Sequence, residues 1–283
     1  MNYEEFFKDI LKGDGVRNLI KLDYWDGKTI KEPDSYKDIS VCTTCMNRLG
    51  DLSKTLEQNI VDSLDYKGKV EFVLLDYNSQ DGLGDWVKAN LMKYIESGIL
   101  VYYRTDEPKY YSMSHSRNVA FKLATGQIIN SVDSDNFVGK GFADRINFLA
   151  FQQPTNAVFL KGRRMLRGRL GFYKNEFVDI LGGYSELLGS IGYGAEDHDI
   201  MHRACGLGYK LMWFGGDFYK GLDDSRKHQM GNFENKRWRY TENLNKLISF
   251  FNIYYKLYKA NDGMPWGVAK VTKNFSNEII TLG

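Results

Sequence analysis

The chain has 283 residues, 43% of them hydrophobic and 26% charged, with a formal net charge of +2. That length can bury a substantial core in one large domain with extensions, and the near-neutral balance gives no electrostatic footprint for nucleic acid. Four prolines and no low-complexity tract argue against a long disordered segment, and no run approaches the about 20 apolar residues of a membrane-spanning helix.

The opening MNYEEFFKDILKGDG is acidic early and lacks a signal-peptide core. Phe6, Phe7, Ile10 and Leu11 lie at helical spacing there, which predicts a short amphipathic helix before an irregular lead-in to Pro33. Ile39 to Thr43 reads as a strand, followed by Asn47-Arg48-Leu49-Gly50 and a helix over 51–64 with Leu52, Leu56, Ile60 and Leu64 on one face. The apolar run VEFVLL from Val70 to Leu75 reads as a strand buried on both faces. Asp76 to Gly82 is turn-rich and leads into another helix. Ile99 to Arg104 reads as a third strand, Ser112 to Ala124 as a helix stopped by Gly126, and Gln127 to Val132 as a fourth strand ending at Asp133-Ser134-Asp135. Strands alternating with helices imply a mainly parallel sheet with helices on both faces. Ligands of such sheets bind beyond the carboxyl ends of the strands, where Thr43, Asp76 and Asp133 fall.

Beyond Asn136 the spacing predicts a helix over 142–151, a short strand over 158–160 and a basic run, KGRRMLRGR, carrying Lys161, Arg163, Arg164, Arg167 and Arg169. A glycine-containing loop at Ile191–Ala195 precedes a helix from Glu196 to Gly206 and a strand from Tyr209 to Phe214. Leu244, Leu247, Ile248, Phe251, Tyr254, Tyr255 and Tyr258 form an apolar stripe on a terminal amphipathic helix.

ISVCTTCMNR, LLDYNSQDG, SHSRNVAFKLATGQIINSVDSD, ILGGYSE and GYGAEDHDIMHR occur in that order. Together they resemble the blocks of family 2 glycosyltransferases of the GT-A fold, over roughly residues 38–215. The last block and DDSRKHQMGNFENKRW also resemble the C-terminal region of galactosyltransferase-type enzymes. The resemblance implies an α/β GT-A (Rossmann-like) sheet flanked by helices, with helical N- and C-terminal extensions. Its expected parts are an N-terminal extension at 1–37, a catalytic domain at 38–225, and a C-terminal metal or acceptor loop and amphipathic helix at 226–283. The implied activity is inverting transfer of a sugar from a nucleotide-diphosphate donor, a UDP-sugar, to an acceptor hydroxyl of a glycan or glycolipid in bacterial surface glycan synthesis.

Hard divalent cations take oxygen ligands, and two carboxylates one residue apart at a strand end supply them. By resemblance Asp135 holds Mn²⁺ or Mg²⁺ and Asp133 contacts donor ribose or metal, where an isolated DxD would be only a polar turn. His228 could be a third ligand, an imidazole that suits Mn²⁺ better than Mg²⁺, or an exposed loop histidine. Thr43 and Asp76 match positions at the donor base and ribose, with a strand-end cap the alternative for Asp76. Arg117 matches an arginine near the nucleotide, or is a surface helix charge. Inversion needs a base to take the acceptor proton. The resemblance assigns that role to Asp197 and acceptor contacts to Glu196. Otherwise both only favour a helix N-terminus through its dipole. Tyr193 could stack on the acceptor ring or simply pack.

Cys42-Thr43-Thr44-Cys45 has CxxC spacing, but Cys42 belongs to a strand and no second CxxC completes a zinc site. His198-Asp199-Ile200-Met201-His202 mimics HExxH with Asp in place of the basic Glu. An unpaired third cysteine suits a reducing cytoplasm. The basic run could bind donor diphosphate, an anionic acceptor or a lipid headgroup, or be a solvated strand pair; the last helix packs its stripe on its own domain or touches the inner membrane face as a peripheral contact. Two other functions compete: a catalytically silent nucleotide-sugar-binding relative, and a sugar nucleotidyltransferase. The latter wants a glycine-rich phosphate loop after the first strand, which TTCMNRLGD lacks.

Overall fold

The computed structural model describes residues 3–12, 14–28, 30–161, 169–222 and 230–283. The chain opens on α1 (Tyr3–Lys12), α2 (Asp14–Arg17) and a short strand, β1 (Asp23–Tyr24). A βαβ series follows: β2 (Ile39–Cys45), α3 (Leu49–Val61), β3 (Val70–Tyr77), α4 (Leu83–Asn90), α5 (Met92–Glu96), β4 (Leu100–Thr105), α6 (Met113–Leu123) and β5 (Ile128–Ser131). Then come β6 (Asn136–Phe137), α7 (Phe142–Gln152), β7 (Ala157–Leu160), β8 (Leu170–Tyr173) and a π-helical turn over Glu176–Ile180. The last part holds α8 (Glu186–Ile191), α9 (Glu196–Gly206), β9 (Lys210–Trp213), β10 (Lys220–Gly221), α10 (Trp238–Tyr254) and the hairpin β11 (Ala269–Lys273) and β12 (Ile279–Leu282).

Among the described residues ten strands form one sheet in the order β1-β9-β7-β8-β5-β2-β3-β4-β11-β12. The block β5-β2-β3-β4 is parallel, as are β1-β9 and β9-β7. The strand β8 runs antiparallel between β5 and β7, and the hairpin runs antiparallel to β4. Side-chain alternation divides β3 between two cores. Phe72 and Leu74 join Ile39, Val41, Leu52, Leu56 and Ile60 on one face, while Val73 and Leu75 join Cys42, Val119, Phe121 and Ile200 on the other. Each such fully buried side chain contributes about 1.5–3 kcal/mol, so the middle of the sheet is the rigid base from which the strand ends project.

The N-terminal segment shares this core. Ile10, Val16 and Ile20 are buried in the second of the two clusters, α1 packs on α10, and β1 extends the sheet beside β9. The expected packing side of the last helix is corrected. Its buried residues are Thr241, Asn245, Ser249, Phe250 and Ile253, whereas Phe251, Tyr254 and Tyr255 of the apolar stripe are exposed. Polar docking sets this rotation. The Asn245 amide donates to the carbonyls of Leu188, Gly192 and Gly194, and the Thr241 hydroxyl donates to the Tyr193 carbonyl at 3.0 Å. Among the described residues no helix is long and apolar enough to cross a membrane.

A buried ion pair fixes the start of α9. Arg203, 1% exposed, donates through Nε to Asp199 at 2.8 Å and through its other nitrogens to the carbonyls of Leu181, Gly183 and Tyr258. Removing one partner of such a pair leaves the other charge buried, at a cost of about 3–5 kcal/mol. Arg203→Ala is therefore expected to lose about that much in urea unfolding. A loss under about 1 kcal/mol, the range of an exposed ion pair, would mean that the pair is not the anchor described.

Candidate active site

The carboxyl ends of β2, β3 and β5 point to one rim of the sheet, as the alternation of elements requires. At the end of β5 the chain turns through Asp133, Ser134 and Asp135, and α3 holds this turn from below. The Thr55 hydroxyl donates to the Ser134 carbonyl at 2.7 Å, and Asn59 bonds both the Asn136 carbonyl and the Val138 N–H at 2.8 Å. Thr55 and Asn59 are polar residues on the helix face that the sequence marks as apolar. Their buried hydrogen bonds preorganise the two aspartates.

Asp133 and Asp135 line a cavity of about 60 Å³ together with Thr44, Met46, Arg48, Met113, Arg117, Tyr111, Ser134, Tyr193, Asn232 and Phe233. Burial, then the charge of Asp133, push the Asp135 carboxyl up to about 6, against the opposing pull of Arg48 and Arg169. Arg48 approaches Asp135 at 3.5 Å and pairs with Asp51 at 2.7 Å. A carboxyl whose proton affinity is raised by burial and by a neighbouring carboxylate, as at Asp135, belongs to a donor pair that also favours a hard cation. Among the described residues no group of three or more His, Cys, Asp or Glu side chains forms a complete metal cluster, and His228 lies outside the described residues.

Arg117 is almost fully buried and forks between the two halves of the site. One guanidinium nitrogen donates to Asp133 at 3.0 Å and another to Glu196 at 2.7 Å. The two carboxylates hold its charge against the desolvation that opposes it. It is thus no surface helix charge. Glu196 is pushed up by burial and by Asp197, with Arg117 opposing. Asp197 accepts from the His198 N–H at 2.8 Å and from His198 Nδ1 at 2.9 Å. Asp197 in turn raises the His198 imidazole, which is half exposed, while burial pushes His202 down to about 3 and keeps it neutral. The two histidines of HDIMH are committed to these environments.

A strained backbone leads into the acidic pair, which reaches the cavity through the Glu196–Arg117 contact and does not itself line it. Ala195 directly before Glu196 sits in the left-handed region at φ 69°, after Gly194 at φ 102°. A non-glycine residue there carries strain on the order of 1–3 kcal/mol, which the Asn245 and Thr241 bonds to this loop hold in place. Tyr193 lines the cavity with its ring edge-on to Phe233 at 5.7 Å and to Trp238 at 6.5 Å.

The other expected donor residues lie deeper. Thr43 is buried at 3% exposure, and its neighbour Thr44 faces the cavity, hydrogen-bonded to the Tyr111 hydroxyl at 2.6 Å. Asp76 is fully buried. It accepts from the Ser79 N–H at 2.8 Å and from Tyr102 and Arg104, each at 2.7 Å, so it braces the end of β3. Of the basic run, Lys161 and Arg169 are described. Both donate to the Tyr219 carbonyl, and Arg169 is buried against the Tyr219 ring. Arg163, Arg164 and Arg167 lie outside the described residues. The sequence reading missed Arg48, Tyr111, Asn232 and Phe233. Asn232 donates to the Met46 carbonyl at 2.7 Å and accepts from the Asn47 amide at 3.0 Å, which seats this segment as one wall of the cavity.

A mainly parallel sheet between helices, with a carboxylate pair at the end of its fourth parallel-block strand, is the GT-A fold. Solved structures sharing it include three transferases. The mannosyltransferase PcManGT from Pyrobaculum calidifontis, in complex with GDP-Man and Mn²⁺, matches at TM-score 0.57 and 16% identity, over 89% of this chain and 84% of that one. S. aureus TarS 1-349 in complex with UDP-GlcNAc matches at TM-score 0.53 and 18% identity, over 77% and 72%. GalNAc-T7 with UDP, GalNAc and Mn²⁺ matches at TM-score 0.55 and 15% identity, over 74% and 52%. No protein-family model matches the chain, and no curated protein matches it in sequence.

Proposed function

We propose that this chain is an inverting glycosyltransferase that moves a sugar from a UDP-sugar to an acceptor hydroxyl in bacterial surface glycan synthesis. The observation that carries the reading is the line Asp135, Asp133, Arg117, Glu196, Asp197. It puts a cation-favouring carboxylate pair and an acidic helix start on the two sides of one buried guanidinium. The nucleotide-sugars and Mn²⁺ held by the solved transferases of this fold lend support.

In this reading Asp135, with Asp133 and His228, would hold Mn²⁺ or Mg²⁺, which neutralises charge on the departing diphosphate. Asp133 would also contact donor ribose. Arg117 fixes Asp133 from behind and faces the same cavity. Thr43 and Asp76 shape the nucleotide end. Asp76 acts there through Arg104, whose side chain is 28% exposed and held by that carboxylate. Tyr193 and Glu196 orient the acceptor. The acceptor O–H gives its proton to Asp197 as its oxygen bonds the sugar carbon on the face opposite the leaving group. The carbon–oxygen bond to the diphosphate breaks, and that electron pair leaves with the diphosphate. Glu196 is tied to Arg117 at 2.7 Å, whereas Asp197 faces the half-exposed His198, which offers the proton a way to water.

A nucleotide-sugar needs a pocket of about 300–1,000 Å³, so the 60 Å³ cavity has to widen for the donor to enter. A cytoplasmic site of action suits the three free buried cysteines, and the exposed Phe251, Tyr254 and Tyr255 suit peripheral contact with a membrane surface.

The test is thermal stabilisation by UDP with Mn²⁺, since a ligand that binds only the folded state raises its stability, together with UDP release from UDP-sugars with and without acceptor. No shift with UDP and Mn²⁺ would end the UDP-sugar reading, and a shift with no UDP release in either condition would favour a silent binder. In the same titration His228→Ala is expected to weaken Mn²⁺ more than Mg²⁺. Equal losses for both ions would remove His228 from the ligand set.

A further inference from the structure

A second, larger space opens beside the donor cavity. This groove of about 730 Å³ is lined by Tyr110, Tyr111, Ser112, the Gly189–Gly192 segment, Phe233 and residues 234–237. Tyr111 and Phe233 belong to both spaces, so one aromatic wall separates them. Two glycines of the Gly189–Gly192 segment are packed tightly against neighbouring side chains. A Cβ at Gly189 would lie 2.8 Å from the Ser112 hydroxyl, and one at Gly192 would lie 3.0 Å from the Thr241 methyl, at a φ of +136°. Tyr110 is 39% exposed and presents a ring with a polar tip, a surface on which the apolar face of a pyranose can lie. The rim is basic. Lys236 and Arg237 outnumber Glu234 there, and neither pairs with a carboxylate among the described residues. Lys109 adds a third cation, 5.1 Å from the Tyr110 ring.

We infer that this groove receives the part of the acceptor beyond the hydroxyl that reacts, and that the acceptor is an anionic glycan whose phosphate or carboxylate is held by Lys236 and Arg237. The inference rests on the glycosyltransferase reading and adds the charge of the acceptor to it. An aromatic platform supplies contact that any sugar ring can use. Selection among sugars therefore falls to the unpaired cations, and a guanidinium binds phosphate or carboxylate in a bidentate way. Such exposed contacts weaken as salt rises.

The experiment measures binding of three oligosaccharide probes to the full chain with UDP and Mn²⁺ present. One is neutral (maltotetraose), one carries carboxylates (a galacturonate tetramer) and one carries phosphates (a glycerol-phosphate oligomer). The expected result is that one anionic probe binds on the order of 10-fold or more tighter than the neutral one, with a preference that falls as salt is added. Which anionic probe wins separates the two sources of charge. Lys236→Glu with Arg237→Glu is expected to abolish the preference while leaving UDP affinity and the unfolding midpoint unchanged, because both side chains are exposed and outside the donor cavity. Equal binding of neutral and anionic probes, no anionic binding, or an unaltered preference in the double variant would overturn the inference. UDP affinity separates that failure from failure of the transferase reading, since a chain that binds UDP but no anionic glycan loses only the acceptor assignment. If a fold change accompanies the charge reversal, Lys236→Gln with Arg237→Gln is expected to lower the preference in the same direction.

Discussion

Asp197→Asn is expected to slow sugar transfer by about 10²–10⁴-fold, the usual loss when a general base is removed, while donor affinity stays close to wild type. The amide keeps the shape of the carboxylate and can still accept from the His198 N–H, which Asp197 holds at 2.8 Å. It loses only the capacity to take a proton. Donor affinity should survive because the donor half of the site, with Asp133 and Asp135, stands on the turn after β5, braced by Thr55 and Asn59 of α3. Single-turnover transfer and UDP affinity in the same variant measure the two quantities. A rate within about threefold of wild type would shift the base role to Glu196. A donor affinity that falls with the rate would make Asp197 a structural carboxylate of the α9 start.

Asp135→Ala is expected to abolish metal-dependent UDP binding and leave the fold intact. Burial and the charge of Asp133 push its carboxyl up to about 6, against Arg48 and Arg169, so the fold gains little from its charge. Removing it relieves that repulsion, so unfolding stability should hold. What disappears is one of the two carboxylates at the turn, and a hard cation has little hold on a single carboxylate. Calorimetry with UDP in the presence of Mn²⁺ provides the readout. Unchanged affinity would refute the assignment of metal to this residue, and loss of thermal stability in parallel would show that Asp135 belongs to the fold instead.

Much of the parallel block is visible in the sequence because its strands are buried on both faces and its helices carry a regular apolar stripe. Val70–Tyr77 needs no tertiary partner to be recognised. The choice between Thr43 and Thr44 is different. In a strand enclosed on both sides, alternation does not say which threonine meets the cavity, and only the register of β2 against β3 and β5 decides it. The strand β8 follows the basic run directly and has just four residues, too short for a period to show. The orientation of α10 was hidden for another reason. Its apolar residues predict one buried face, yet the face that docks carries Asn245, whose amide satisfies three loop carbonyls. A buried amide N–H group that meets several carbonyls can outweigh an apolar stripe, and no spacing rule contains those distant carbonyls. Arg48, Asn232 and Phe233 were missed likewise, since their meaning comes from segments far apart in sequence.

The hairpin at the sheet's far edge has a consequence for biosynthesis. The outer side of β4 is covered by β11, by the Asn274 side chain on the Tyr102 N–H at 2.9 Å, and by Phe275 stacked on Tyr102. These residues leave the ribosome about 160 residues after β4, which at roughly 5–20 residues per second is a delay of roughly 10–30 s. Throughout that interval a strand rich in aromatic residues, LVYYRT, presents open amide and carbonyl groups to any neighbouring nascent chain. Chaperone dependence is thus expected to track the integrity of this hairpin rather than that of the acidic site.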